Sequence, residues 1–198
     1  MKKSILFSLA AAVVAAFALA FTPPVESMKV DTAASVVAWK GAKVTGTHNG
    51  KISVKSGKLD FNNGVLTGGS FEIDMNSITC EDMSGGGAAK LVGHLKSDDF
   101  FGAEKYPTSK FVITQVVSRG TTGAYKVVGD LTIKSTTKSI RFMADVKEEG
   151  GKMVATAKIT IDRSEFDVRF GSGSFIDNLG DKTIYDEFDL DIKLVASK

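Results

Sequence analysis

Hydrophobic and polar residues alternate along most of the chain from residue 30 onward. The clearest run is 184–194, where the even-numbered residues are apolar except for Asp186 and the odd-numbered residues are polar except for Tyr185. A period of two places successive side chains on opposite faces of a β-strand. The pattern therefore predicts antiparallel strands with one buried face and one face in solvent.

The same alternation predicts strands in the rest of the chain. The clear segments are 71–75, 111–113, 125–133, 140–146 and 153–161. Two weaker candidates are 36–44 and 51–61. Gly41 and Gly57 within them, and Gly46 between them, suggest β-bulges. Seven or eight strands of about ten residues would leave exposed edges in an open sheet, and closure removes those edges. We therefore expect an all-β protein that forms a closed, antiparallel, up-and-down eight-stranded β-barrel.

Residues 81–106 do not follow the alternation. The segment 88–95 is compatible with one or two helical turns, and the pair Phe100-Phe101 follows it. The stretch Ser84–Gly87 lacks the Lys-Ser/Thr that completes a phosphate-binding loop, so we interpret it as a flexible connection. We expect a short helix and a loop that pack at one end of the barrel.

The N-terminal residues have the features of an export signal. Lys2 and Lys3 form a positive segment, Ile5–Phe17 is apolar except for Ser8, and Ala18–Ala20 is an A-x-A cleavage site. Cleavage after Ala20 predicts a mature protein that begins at Phe21 and resides in the periplasm.

The same region argues against a stable membrane anchor. Pro23 and Pro24 interrupt the apolar run too early for a transmembrane helix, and no cysteine near the junction is available for acylation. The predicted organisation is a signal peptide at 1–20, a short N-terminal extension at 21–29 and a single β-barrel domain at 30–198.

Charge argues against nucleic acid as a partner. The chain has 25 basic and 23 acidic residues, and removal of Lys2 and Lys3 with the leader leaves 23 of each. A protein that binds phosphate backbones needs a basic surface, and the mature chain has no dense cluster of lysine or arginine.

The side chains that could support catalysis or bind a metal are few. Cys80 is the single cysteine, and no basic partner that would activate its thiol is evident near it in the sequence. His48 and His94 are not at metal-ligand spacing from another histidine, a cysteine or a carboxylate. We expect no catalytic residues, no metal and no cofactor.

Two further residues could contact the polar end of a bound molecule. His94 is interpreted as a hydrogen-bonded structural residue, with contact to a ligand headgroup as the alternative. Arg163 and Arg169 flank Phe166 beside Gly171–Gly173, where the chain must change direction. We expect salt bridges at the barrel rim, with recognition of an anionic headgroup as the alternative.

Small residues recur at mid-strand positions on the inward parity. They are Gly129, Ala144, Ala155 and Ala157. An eight-stranded barrel has room for its own side chains or for one small guest. Small residues can leave space for a guest, or they can alternate with large ones to fit the taper of a solid core. The pattern leaves both alternatives open.

Several ordered motifs resemble the YceI-like family. The first is Leu91–Phe111, with the sequence LVGHLKSDDFFGAEKYPTSKF, and GDLTI at 129–133 and DRSEF at 162–166 follow it. With Trp39, His48–Gly50 and the C-terminal strand, the resemblance covers about residues 30–196. The chain departs from the family pattern at Gly93, Ser135, Ser139 and Asp167.

The resemblance implies a lipocalin-like periplasmic barrel that encloses a polyisoprenoid, such as a prenyl quinone or prenyl phosphate, or another long-chain amphiphile. It favours a guest over a solid core. The expected tail contacts are Phe71, Ile73, Leu95, Phe100, Phe101, Phe111, Ile113, Leu131, Phe142, Ala144, Ala157, Ile159 and Phe188. His94 and Arg163 are the candidate headgroup contacts. The competing hypotheses are a lipid-modifying enzyme in the same barrel and a solid-cored structural or interaction domain.

Overall fold

A computed structural model describes residues 24–198. The predicted signal peptide and its cleavage site lie outside the described residues. The strands are β1 (Glu26–Val30), β2 (Val36–Lys43), β3 (Gly46–Asn62), β4 (Val65–Asp74), β5 (Thr108–Ser118), β6 (Ala124–Ile133), β7 (Thr136–Glu149), β8 (Lys152–Asp162) and β9 (Ile184–Ser197). One α-helix, α1, spans Gly85–Lys96, and short 3-10 turns occupy Met75–Ser77, Arg163–Phe166 and Gly180–Lys182.

Strands β2 to β9 form a closed barrel. Each strand pairs antiparallel with the next one in sequence, and β9 pairs back with β2. This sequential pairing is a meander. It confirms the predicted eight-stranded up-and-down barrel.

A ninth strand, β1, completes the wall where β2 does not reach. Its residues Glu26 and Lys29 pair with Phe61 and Lys58 of β3, and Lys29 also pairs with Ser197 of β9. The alternation of the sequence predicts 26–29 to be part of an N-terminal extension, whereas the structure places these residues in the sheet. Five residues are enough to fill the gap between two longer strands, but they are too few to show a clear period.

The predicted parity agrees with the observed burial along the regular strands. In β6, Tyr125 and Val127 are buried while Lys126 and Val128 are partly exposed. The predicted bulge at Gly41 coincides with a shift in the pairing of β2 with β9 between Gly41 and Lys43.

The other two glycines have different roles from those predicted. Gly46 begins β3 at a hairpin. The register of β3 with β4 shifts between Val54 and Ser56 and again between Asp60 and Phe61, on either side of Gly57. A Cβ on Gly57 would lie 2.7 Å from Cδ1 of Phe71, so this glycine makes room for a core ring rather than for a bulge.

The helix α1 is longer than predicted. It begins at Gly85 rather than at Ala88, so the glycines interpreted as a flexible connection form its first turn. Each glycine costs about 1 kcal/mol relative to alanine in a helix interior, which makes this the weakest end of the helix. The helix ends at Lys96, where the Ser97 amide donates to the carbonyls of Gly93 and His94. No residue of α1 is fully buried.

Connections of very different length close the two ends of the barrel. One end carries the β2–β3 hairpin, the β6–β7 hairpin and two long segments, 75–107 and 163–183. The other end carries shorter links at 63–64, 119–123 and 150–151. We call the first the covered end and the second the hairpin end. Within residues 24–198, no helix has the length and apolar character needed to cross a membrane.

Candidate functional site

The barrel encloses two adjoining apolar cavities. The outer cavity, of about 530 Å³, lies under the covered end, and the inner chamber, of about 130 Å³, lies deeper in the barrel. The two share a ring of wall residues, which are Val37, Ile73, Leu131, Ile161 and Leu190. The shared ring means that the inner chamber continues the outer cavity along the barrel axis.

Every residue predicted to contact a guest lines one of these cavities. Those in the wall of the inner chamber are Phe71, Phe111, Ile113, Phe142, Ala144, Ala157 and Ile159, and Ile73 and Leu131 belong to both cavities. Those around the outer cavity are His94, Leu95, Phe100, Phe101, Arg163 and Phe188. The structure therefore brings the predicted residues together along one internal surface.

The small inward residues do not all serve the same purpose. Ala144 and Ala157 are paired directly across β7 and β8, and both line the inner chamber. Gly129 differs, because a Cβ there would lie 2.3 Å from Cζ of Phe111. The Phe111 ring, which packs 5.5 Å from that of Phe142, occupies the space beside Gly129. The alanines therefore border open space, whereas the space beside Gly129 is filled by a side chain.

The roof of the outer cavity is one face of α1 together with the two phenylalanines that follow it. The helix residues in the wall are Gly87, Lys90, Leu91, His94 and Leu95, at the i, i+3, i+4, i+7 and i+8 spacing of a single helix face. A small core of Met75, Ile78 and Ala103, joined by Leu95 and Phe101, holds the C-terminal side of this roof against the barrel.

The imidazole of His94 lies in apolar surroundings. Its ring contacts Phe170 and Phe100 edge-on, with centroid distances of 4.4 Å and 5.7 Å. The Nε2 atom is buried and has no hydrogen-bond partner within the described chain. A buried polar atom without a partner costs about 1–3 kcal/mol, so a ligand group that reached this atom would gain a hydrogen bond.

Arg163 lies deep in the wall of the outer cavity, with 2% of its surface exposed. Its Nη1 donates to the Val168 carbonyl at 2.7 Å, its Nη2 to that of Ile184 at 3.0 Å and its Nε to that of Tyr185 at 3.2 Å. The guanidinium therefore ties the end of β8 to the start of β9.

A buried carboxylate accompanies this arginine. Oδ1 of Asp186 lies 3.1 Å from Nη2 of Arg163, in the geometry of an ion pair rather than of a hydrogen bond. Oδ2 accepts hydrogen bonds from the hydroxyls of Ser172 and Ser174. Burial lowers the pKa of Arg163 from its ordinary value, and Asp186 opposes that shift. The predicted rim salt bridge is present, and each of the three guanidinium nitrogens donates to a protein carbonyl.

The outer cavity opens to solvent at the covered end. Its exposed wall residues all lie there and are Lys43, Gly87, Lys90, Phe170, Tyr185 and Glu187. In contrast, Lys110 is the one exposed residue in the described wall of the inner chamber. The opening lies between α1, the end of β2 and the 163–183 segment, and we call it the mouth.

Several mouth residues were missed by the sequence analysis. Lys43 shares the inward parity of Val37, Trp39 and Gly41, a signal that the irregular β2 obscured. Lys90 precedes His94 by four residues, so the predicted helical segment 88–95 already placed both on one face, but Lys90 was not singled out. Phe170 lies in an irregular segment where no period exists to indicate its direction.

A hydrogen-bonded pair borders the mouth between β3 and the segment before α1. Nδ1 of His48 lies 2.8 Å from Oδ2 of Asp82, and the Asn49 amide donates to Oδ1 at 2.9 Å. The Asn49 hydrogen bond, followed by that from His48, lowers the pKa of Asp82 to about 2. The Cys80 thiol donates to the same carboxylate. In the part of the chain that the structure describes, no three His, Cys, Asp or Glu side chains are arranged to hold a metal ion.

Comparison with known sequences gives a family match over most of the chain. The model of the YceI-like domain matches residues 28–196. A UPF0312 protein of Shewanella denitrificans is 31% identical over 101 residues, which is 51% of this chain and 50% of that protein. One of Photorhabdus laumondii is 44% identical over 57 residues, 29% of each chain. The chain therefore spans half or less of the length of these curated relatives.

Solved structures share the barrel. BcnA of Burkholderia cenocepacia has a TM-score of 0.68 at 24% identity, with coverage of 85% of this chain and 99% of that one. A polyisoprenoid binding domain from Saccharophagus degradans, implicated in plant cell wall breakdown, gives 0.63 at 13% identity, with coverage of 86% and 97%. These similarities show a common fold.

Proposed function

Because the chain belongs to the YceI-like family, whose model matches residues 28–196, we propose that it is a periplasmic carrier that encloses one long apolar lipid. The observation that carries the proposal is the apolar cavity that runs from the mouth into the barrel. The signal-like N-terminal sequence supports export, and we assign the protein no catalytic step.

The size of the cavities sets the amount of lipid that the barrel can enclose. A dry protein cavity of about 150 Å³ accommodates benzene, which corresponds to roughly 25 Å³ per carbon atom. On that scale the outer cavity of about 530 Å³ holds roughly 20 carbons and the inner chamber of about 130 Å³ holds roughly five. The enclosed tail is therefore equivalent to about five prenyl units.

Burial of the tail would supply most of the affinity. Each buried methylene contributes about 0.8 kcal/mol, so a prenyl unit contributes roughly 3 to 4 kcal/mol before the costs of association. A polyisoprenoid is the preferred guest class, because the structurally similar Saccharophagus degradans domain is described as polyisoprenoid-binding. A fatty amphiphile of similar length would use the same walls.

The arrangement supports binding over lipid chemistry. His94, a polar side chain of the roof, contacts phenylalanine rings. It does not contact a carboxylate of residues 24–198 that would orient it as a base. A solid-cored domain is disfavoured by the outer cavity, because the side chains around it leave an apolar-walled space of about 530 Å³ unfilled, whereas a solid core is close-packed.

Analysis of the protein purified from a bacterial host tests the proposal. Native mass spectrometry should show one apolar molecule per chain, and organic extraction should release it for identification. Protein that remains free of lipid, and that gains no mass after incubation with prenyl lipids of 15 to 40 carbons, would contradict the carrier function.

A further inference from the structure

The groups in the cavity wall that can carry charge concentrate at the mouth. Around the outer cavity they are Lys43, His48, Lys90, His94, Arg163 and Glu187. Beyond the shared ring, the wall of the inner chamber is apolar except for Lys110 and Thr156. An amphiphile with its tail in the barrel would therefore place its headgroup beside this set.

Two of the five basic groups are already committed to the protein. The donors of Arg163 bond backbone carbonyls, and its charge is paired with Asp186. His48 is hydrogen-bonded through Nδ1 to Asp82.

The other three basic groups have no such partner. Lys43 and Lys90 form no ion pair with any residue of 24–198, and Nε2 of His94 is buried without a hydrogen bond. Lys90 and His94 lie one turn apart on the cavity-facing side of α1, and Lys43 ends β2 at the same opening. Glu187 is the one acidic residue in the wall within the described chain.

Resting on the proposed carrier function, we propose that the mouth selects an anionic headgroup through Lys43, Lys90 and His94. A phosphate or carboxylate placed there accepts a hydrogen bond from the imidazole and lies near two ammonium groups. The lysines act as flexible point charges at the solvent boundary, whereas the imidazole, held between Phe100 and Phe170, supplies a fixed donor. A neutral quinone or alcohol would gain the hydrogen bond without the charge attraction.

Binding of three 20-carbon ligands to the mature protein tests this assignment. They are geranylgeranyl phosphate, geranylgeraniol and arachidic acid, which carry a phosphate, a hydroxyl and a carboxylate on tails of similar length. Wild-type protein should bind the phosphate at least ten-fold more tightly than the alcohol. Lys43→Gln and Lys90→Gln should each weaken phosphate binding by about three- to five-fold, as for solvent-exposed ion pairs, and leave the alcohol unchanged. His94→Leu should weaken the phosphate by about ten-fold or more and also weaken the alcohol.

Lys126→Gln is the matched control. It removes the same charge from β6 beside the 119–123 turn at the hairpin end, so it should alter neither ligand. Equal affinity of wild type for phosphate and alcohol, or equal losses for both ligands in the Lys43→Gln/Lys90→Gln double variant, would overturn the headgroup assignment and leave the carrier function intact. Failure of all three ligands to bind would instead overturn the carrier function. The acid supports the anionic class if it shares the lysine dependence, and restricts it to phosphates if it does not.

Discussion

The hairpin end and the covered end of the barrel are closed by different means. Near the hairpin end, buried side chains such as Leu59 and Phe61, at 2% and 1% exposure, fill the space between strands joined by short turns. At the covered end, α1 has no buried residue. The roof rests on Arg163, whose Cζ lies 5.1 Å from the centroid of the Phe100 ring, and on the small core around Met75. One end is a packed core and the other is a cover over a cavity. A barrel with uniform strand parity can thus be solid over part of its length and hollow over the rest.

The largest expected effect tests whether Arg163 holds the covered end together. Arg163→Ala should lower the free energy of unfolding by about 3–5 kcal/mol, because it leaves the Asp186 carboxylate buried without its charge partner. Denaturant unfolding of ligand-free protein measures the loss. Arg169→Ala is the control, since Arg169 is exposed and should change stability by less than about 0.5 kcal/mol. Equal stability of the two variants would show that Arg163 does not hold the covered end together.

The next effect tests whether the inner chamber is used by a guest. Ala157→Phe should fill the chamber and exclude roughly one prenyl unit, so affinity for a 25-carbon guest should fall about 100-fold. Ala144→Phe, on the paired position, should act in the same way. Ligand-free stability should change by less than about 0.5 kcal/mol, because the ring occupies existing space.

Outward substitutions provide the controls for this experiment. Lys158→Phe and Asp145→Phe carry the same ring on the solvent face of β8 and β7, and both should leave guest affinity unchanged. If Ala157→Phe and Ala144→Phe instead lower stability by about 1–3 kcal/mol without altering guest affinity, the chamber is part of a close-packed core.

A methyl group added at a packed position should destabilise the protein more than the phenylalanine rings added in the inner chamber. Gly129→Ala adds one methyl group, which would lie 2.3 Å from Cζ of Phe111 and 2.5 Å from the Val112 carbonyl oxygen. We expect a loss of about 1–3 kcal/mol in unfolding free energy, measured beside Ala157→Phe under the same conditions. A neutral Gly129→Ala would contradict the distinction between the filled and the hollow parts of the barrel.

The smallest effect concerns pH at the covered end. The folded-state pKa of Asp82 is about 2, below the ordinary value of 3.8, so its contribution to stability is complete above about pH 4 and is lost as pH falls toward 2. The stability difference between wild type and Asp82→Asn should therefore be constant from pH 5 to 7 and shrink between pH 4 and 2. Urea unfolding at each pH measures it. A difference that stays constant down to pH 2 would argue against the hydrogen bonds from Asn49 and His48.

The sequence was most informative along the regular strands, where the alternation of side chains agrees with the burial of one face of the sheet. Strand parity at 125–161 and 184–194 predicted which side chains line the cavities, because a strand with one wet face must place its apolar residues inward. Parity could not show that the Phe111 ring fills the space beside Gly129, whereas Ala144 and Ala157 border the inner chamber. That difference depends on which neighbouring side chain reaches each position.

The mouth was less predictable for physical reasons. Its residues come from strand ends and irregular segments, where no period indicates the direction of a side chain. The sequence singled out Arg163, but it could not indicate the carbonyls that bind it, which belong to residues 168, 184 and 185 and come together only in the folded chain. Asp167, one of the positions at which the chain departs from the pattern it resembles, has a φ of 61°. Aspartate is among the residues that tolerate this left-handed conformation.

The dependence of affinity on tail length tests the central claim most directly. Isothermal titration or a fluorescence competition assay with prenyl phosphates of 10, 15, 20, 25, 30 and 40 carbons would give the free energy of binding as a function of length. The enclosed volume of about 530 Å³ and 130 Å³ predicts a steady gain up to about 25 carbons and a plateau beyond, where added units remain in water. An affinity that does not depend on tail length between 10 and 25 carbons would contradict a carrier that holds its guest inside the barrel.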